Sequence, residues 1–148
     1  MEKVIIKKSI DIKASKEKVW DVLTKDEMTK SWYTAFNPGT YAETDWKQGS
    51  EVIFKDGTEN GMIGKIVASV PGQIISTEFT GTLVNGVEDY ESEAARNIKG
   101  FKETYYISSE GNKSKLSIEQ ETSDEYGDMM QTMWDKALPL IKQLAESH

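Results

Sequence analysis

The sequence predicts an α+β fold: an antiparallel sheet of six to seven strands, two short helices after the first strand, and one long C-terminal helix laid over the sheet. Three observations carry this. Near the C-terminus, apolar residues recur three and four apart, the signature of one helix face. Most of the preceding chain alternates apolar with polar residues, and Asp-Gly, Asn-Gly and Pro-Gly pairs punctuate the alternating runs. A sheet with one apolar face needs a cover, and only the last segment is long enough to provide it.

The first strand spans 3–12, with Val4, Ile6, Ile10 and Ile12 on one side and Lys8 interrupting that face. Ser15 has the chemistry of a helix N-cap, Glu17 sits in the first turn, and Val19, Trp20, Val22 and Leu23 form the buried stripe. Thr24 and Glu27 stand at capping-box spacing, which predicts a second short helix carrying Met28 and Trp32. Asn37-Pro38-Gly39 then turns the chain. A strand at 40–46 is followed by strands at 51–55, 62–70 and 73–83, with turns at Asp56-Gly57, Asn60-Gly61, Pro71-Gly72 and Asn85-Gly86. Such pairs make tight turns, so these strands are expected to be antiparallel neighbours. Alternation places Val52, Phe54, Met62, Gly64, Ile66, Ile75, Thr77 and Phe79 on the inner face.

Residues 87–99 break the alternation, acidic at first and weakly helical around 93–97, and a connection of that length reads as a flap or mobile loop. Strands at 100–109 and 113–122 flank Glu110-Gly111-Asn112. The last segment, 123–147, carries Met130, Met133, Trp134, Ala137, Leu138, Ile141 and Leu144 on one face. Asp124, Glu125 and Asp128 complement the positive end of its dipole. Pro139 removes one backbone donor inside this helix and predicts a bend between Asp135 and Pro139.

Composition narrows function by exclusion. The chain of 148 residues, 37% hydrophobic and 29% charged, is expected to form one domain. No run approaches the roughly 18 apolar residues of a membrane span. There is no cysteine, which permits a reducing compartment, and a cytoplasmic location is expected. A net charge of −7 with no basic patch disfavours nucleic acid. The one histidine, His148, is terminal and expected to be frayed, so zinc ligation of the usual kind and Ser-His-Asp catalysis are both unsupported. Glu88, Asp89, Glu91 and Glu93 are oxygen ligands in kind, but they lack the spacing of a calcium loop and read as a solvated acidic segment. GMIG at 61–64 is a strand entry and not a phosphate cradle. No cofactor is expected.

The segments VWDVLTKDEMTKSWY (19–33), DWKQGSEVIFKDG (45–57), GMIGKIVASVPGQIISTEF (61–79) and TMWDKALPLIKQLAE (132–146) together resemble the START-like (SRPBCC) superfamily, and within it the branch of activator of heat-shock-protein-90 ATPase homologues. The resemblance implies a helix-grip fold, a curved sheet around the C-terminal helix with a cavity between them. It implies binding of a hydrophobic or amphipathic small molecule without catalysis. Its alternatives are a polyketide cyclase or dehydratase, and a chaperone ATPase regulator with a chaperone partner. No catalytic residue carries over, and the branch leaves monomer and dimer equally open.

The expected ligand-binding set is Trp32, Phe54, Met62, Thr77, Phe79, Glu103, Tyr105, Met130, Met133 and Trp134. Large adaptable side chains, with methionines clustered near Trp134, suit an apolar cavity wall. Thr77, Glu103 and Tyr105 are its candidate polar groups, with Glu103 or Tyr105 the general acid/base under the catalytic alternative. The competing reading of the helix stripe is solid core. Trp46 and Phe101 belong to the same group of large side chains, and Gly61 and Gly64 are expected to leave space between sheet and helix. The 87–99 segment and Trp32 are expected to border the mouth.

Overall fold

The computed structural model describes residues 2–147, so the expectation for His148 lies outside the described residues. Strands β1 (Lys3–Ile12), β2 (Tyr41–Glu43), β3 (Glu51–Lys55), β4 (Gly61–Val70), β5 (Ile74–Val84), β6 (Val87–Asp89), β7 (Lys102–Glu110) and β8 (Lys113–Ser123) form one antiparallel sheet. Its order is β1-β8-β7-β5-β4-β3-β2, with β6 paired to β5 off this path. Eight strands thus replace the expected six to seven. The addition is β6, three residues that the turn at Asn85-Gly86 folds back onto the end of β5. Helices α1 (Lys16–Thr24) and α2 (Asp26–Trp32) follow β1, α3 (Glu93–Ile98) follows β6, and α4 (Gly127–Ser147) ends the chain. No helix among the described residues is long and apolar enough to cross a membrane.

Ser15 caps α1 as expected, its Oγ accepting the Lys18 N–H at 3.3 Å. The capping box at Thr24 does not form. Thr24 is still helical in α1, and its hydroxyl donates to the Trp20 carbonyl four residues back at 2.8 Å, so it has no geometry left to cap α2. Lys25 sits at the start of α2 without a side-chain cap. The indole N–H of Trp32 instead ties the helices together by donating to the Val22 carbonyl at 2.8 Å. A single 3-10 turn, 33–35, separates α2 from the turn at Gly39.

The strand expected at 40–46 is shorter, because Trp46 takes a positive φ of 60° that a strand cannot accommodate. Its carbonyl accepts the Ser69 hydroxyl at 2.7 Å, fixing the loop against β4. The segment 87–99 is not a loose flap. Residues 74–78 of β5 pair with β7, and residues 82–84 of the same strand pair with β6. The chain leaves the sheet after Asp89, winds α3 from the N-cap Ser92, and returns where Phe79 accepts the Gly100 N–H at 2.9 Å and donates to the Phe101 carbonyl at 2.8 Å. Ala95 of α3 is fully buried, and α3 packs on β5 and β8.

Two spaces expected to stay open are filled. A Cβ on Gly64 would lie 2.8 Å from Thr77 Cγ2 and 3.0 Å from the Glu78 carbonyl oxygen, beside a register shift between β4 and β5. A Cβ on Gly61 would lie 2.0 Å from the Phe54 carbonyl oxygen. These glycines permit close strand approach and leave no room for a ligand.

Helix α4 runs unbroken through Pro139. Its Trp134, Ala137, Leu138, Ile141 and Ala145 are buried, against a core that includes Ile6, Ile12, Val19, Leu23, Leu116 and Ile118. Lys8, the exception on the apolar face of β1, is explained by its partner: its Nζ lies 2.7 Å from the Asp135 carboxylate of α4. At the other end Glu146 accepts the Lys13 backbone N–H at 2.9 Å, and Lys142 donates to the Asp11 carbonyl at 3.1 Å. Replacing Gly64 with Ala should lower stability by about 1–3 kcal/mol through overpacking at the β4–β5 shift, read as a lower urea midpoint with an unchanged m-value.

Candidate functional site

One rung of paired residues crosses the sheet and sets the floor of the site. Ile66 of β4 pairs with Thr77 of β5, Thr77 with Glu103 of β7, Glu103 with Gln120 of β8, and Gln120 with Ile6 of β1. Strand alternation puts Tyr105 on the same face as Glu103, two residues on. Above this floor lies a cavity of about 220 Å³. Glu103, Tyr105 and Gln120 line its base, and Phe54, Met62 and Phe79 come from the β3–β5 side. Trp32, Tyr33 and Phe36 enter from α2 and the turn after it, with Thr40 nearby. Met129, Met130 and Met133 of α4 complete the enclosure, Met129 being 47% exposed.

Eight of the ten expected residues therefore meet around one space: Trp32, Phe54, Met62, Phe79, Glu103, Tyr105, Met130 and Met133. Two do not line it. Thr77 is buried in the rung between Ile66 and Glu103, with its methyl group packed where a side chain on Gly64 would stand. Trp134 is fully buried behind the lining rings, with its ring centroid 4.9 Å from Phe36, 5.8 Å from Tyr105 and 6.1 Å from Trp32. A buried indole N–H needs an acceptor. Gln120 Oε1 provides it, and that bond draws the ring down to the sheet and away from the open space. Trp46, Phe101 and the 87–99 segment are also absent from the lining. The segment is held along β5 and on β8 by the pairing described above.

The residues that the sequence did not single out are Tyr33, Phe36, Thr40 and Gln120; Met129, one of the methionines clustered near Trp134, lines the space as well. Gln120 was within reach: it shares parity with Leu116 and Ile118, so a polar residue on an otherwise apolar face marked it. Tyr33 and Phe36 follow the end of α2, where no periodicity indicates direction.

The polar groups at the base are coupled. Burial is the main cause that lifts the Glu103 carboxyl from the usual glutamate range to about 7, opposed by its hydrogen bond with Tyr105. Burial, then the neighbouring Glu103, holds both Tyr33 and Tyr105 well above the ordinary phenol value. Among the described residues no cluster of His, Cys, Asp or Glu is arranged to hold a metal ion. The site is a mostly apolar cavity with one carboxyl, two phenols, one amide and the Thr40 hydroxyl, able to hold an apolar body and to hydrogen-bond a polar head.

Two outcomes are expected from this geometry. Because the folded state holds a proton on Glu103 that the unfolded chain releases, stability should fall as pH rises from the ordinary glutamate value to about 7 and level off above it. The full change is about 3 kcal/mol, and Glu103→Gln should flatten it in denaturation curves taken across that range. Trp134→Ala should cost about 3–5 kcal/mol, whereas Trp134→Phe, which keeps most of the packing and strands Gln120, should cost about 1–3 kcal/mol by the same measurement.

Comparison with known proteins agrees with the architecture. Residues 13–146 match the family model described as Activator of Hsp90 ATPase homolog 1-like protein. A search of curated proteins finds no match. Among solved structures, the Aha1 dimer from Colwellia psychrerythraea superposes with a TM-score of 0.71 at 22% identity, over 97% of this chain and 96% of that one. A Cytophaga hutchinsonii protein gives 0.70 at 20% identity, over 99% and 97%. CalU16 from Micromonospora echinospora gives 0.64 at 17% identity, over 97% and 75%. At these identities the likeness speaks to fold alone, and it is the fold derived above, a sheet gripping a C-terminal helix. The family match spans nearly all of the sequence, and the chain belongs to the Activator of Hsp90 ATPase homolog 1-like family.

Proposed function

We propose that the protein binds a hydrophobic or amphipathic small molecule in the cavity between the sheet and the first turns of α4, without transforming it. The observation that carries this reading is the cavity itself: about 220 Å³ bounded by aromatic and methionine side chains, at the place where α4 stops packing solidly on the sheet. A close-packed interior has few voids larger than a water molecule, so a space of this volume is a feature to be explained. Methionines at the mouth suit ligands of varied shape, because the unbranched thioether changes rotamer at little cost. Glu103, Tyr33, Tyr105 and Gln120 at the base would orient a polar end.

One observation favours a second reading. A carboxyl with a pKa of about 7, hydrogen-bonded to a phenol inside an apolar cavity, has the properties of a general acid/base, as a cyclase or dehydratase requires. The two readings separate by experiment. Native mass spectrometry of the purified protein should show a retained small molecule, and N-phenyl-1-naphthylamine, a neutral apolar fluorophore, should brighten and saturate on binding. Met130→Trp, which fills the cavity from α4, should abolish that signal while preserving the far-ultraviolet circular dichroism. Saturable binding that survives Met130→Trp would place the ligand elsewhere. Time-dependent conversion of a bound molecule, lost in Glu103→Gln, would establish the catalytic reading in place of simple binding.

A further inference from the structure

The composition of the cavity wall limits what its ligand can carry. Of the residues that line it, only one bears a side chain that ionises near neutrality, Glu103, and none is Lys or Arg. Lys8, whose ammonium reaches α4 from β1, is paired with Asp135 at 2.7 Å. The start of α4 offers little to an anion, since Asp124, Glu125 and Asp128 stand where its dipole is positive. Once ionised, Glu103 therefore has Tyr105 as its hydrogen-bond donor and no cation. A buried carboxylate without a counter-charge is costly, and a bound cation removes that cost.

The rings around it point the same way. Trp32 and Tyr33 have centroids 4.6 Å apart, Trp32 and Tyr105 6.3 Å, Tyr33 and Phe54 6.2 Å, and Phe54 and Phe79 6.2 Å. A cluster of aromatic rings beside one carboxylate is the arrangement that receives a protonated or quaternary amine, through the negative ring faces and the anion together. A ligand carboxylate or phosphate would meet Glu103 as a like charge with no basic group to offset it.

We infer that this cavity selects an apolar molecule bearing an amine cation, with the cation beside Glu103 among the rings of Trp32, Tyr33 and Tyr105 and the apolar body toward Met129, Met130 and Met133. This rests on the small-molecule reading above and goes further, because it names the charge of the ligand. Once Glu103 is ionised, fatty acids and other anionic amphiphiles are disfavoured by the same arrangement.

The test is a matched series of one chain length: n-octylamine, octyltrimethylammonium, n-octanol and octanoate, titrated by calorimetry at about pH 8, where the Glu103 carboxyl is ionised. Both cations should bind at least about tenfold tighter than n-octanol, and octanoate should bind weakest. In Glu103→Gln the cations should fall to the affinity that the same variant shows for n-octanol, with an unchanged far-ultraviolet circular dichroism spectrum reporting an intact fold. The chain's net charge of −7 is reduced only slightly by that substitution, so a preference due to overall charge would survive it. Octanoate binding as tightly as n-octylamine, or a cation preference that persists in Glu103→Gln, would overturn the inference and leave small-molecule binding standing. Failure of all four compounds to bind would overturn both.

Discussion

The hydrogen bond from the Trp134 indole to Gln120 marks the point where the interior changes character. Beyond it toward the C-terminus, Ala137, Leu138, Ile141 and Ala145 pack directly on β1 and α1, and ion pairs and backbone contacts from Lys8, Lys13 and Lys142 hold the helix there. On the other side, Met130 and Met133 face open space. A tryptophan held only by packing would be less firmly fixed behind the rings that line that space. Fixed to the sheet by a buried polar bond, it becomes the back wall against which Phe36, Tyr105 and Trp32 rest, and the cavity keeps its volume.

The same residue connects packing to chemistry. Gln120 accepts from Trp134 and pairs across the sheet with Glu103, so the group that anchors α4 lies beside the carboxyl that burial makes reluctant to ionise. The burial that raises the Glu103 carboxyl also raises Tyr33 and Tyr105, and each of these groups makes the others less willing to carry negative charge. Whether the cavity holds a ligand passively or exchanges a proton with it, the polar work falls on this one corner, and the remaining lining supplies shape and apolar surface.

Much of this was legible in the sequence, for reasons that differ from element to element. Turn chemistry at Asp56-Gly57, Pro71-Gly72 and Asn85-Gly86 delimits strands because glycine tolerates backbone angles that other residues avoid, and those strands lie where the pattern placed them. The face of α4 was readable because 3.6-residue periodicity is a geometric necessity. Whether a residue on that face lines a space or fills one was not, since Met130 and Trp134 have the same spacing and differ only in a hydrogen bond made to a distant strand. Thr77 was missed in the same way: parity gave its face correctly, but the register that covers it depends on a bulge beside Gly64. Residues 87–99 resembled a flap because their order comes from the unpaired edge of β5, which local sequence does not announce.

The pairing of β1 with β8, and of α4 with β1, joins the two ends of the sequence in space. Contacts between residues more than a hundred positions apart close only after a long search, because the chain must give up the freedom of everything between them. A topology closed by contacts this distant is expected to fold more slowly than a chain of the same length built from local pairings.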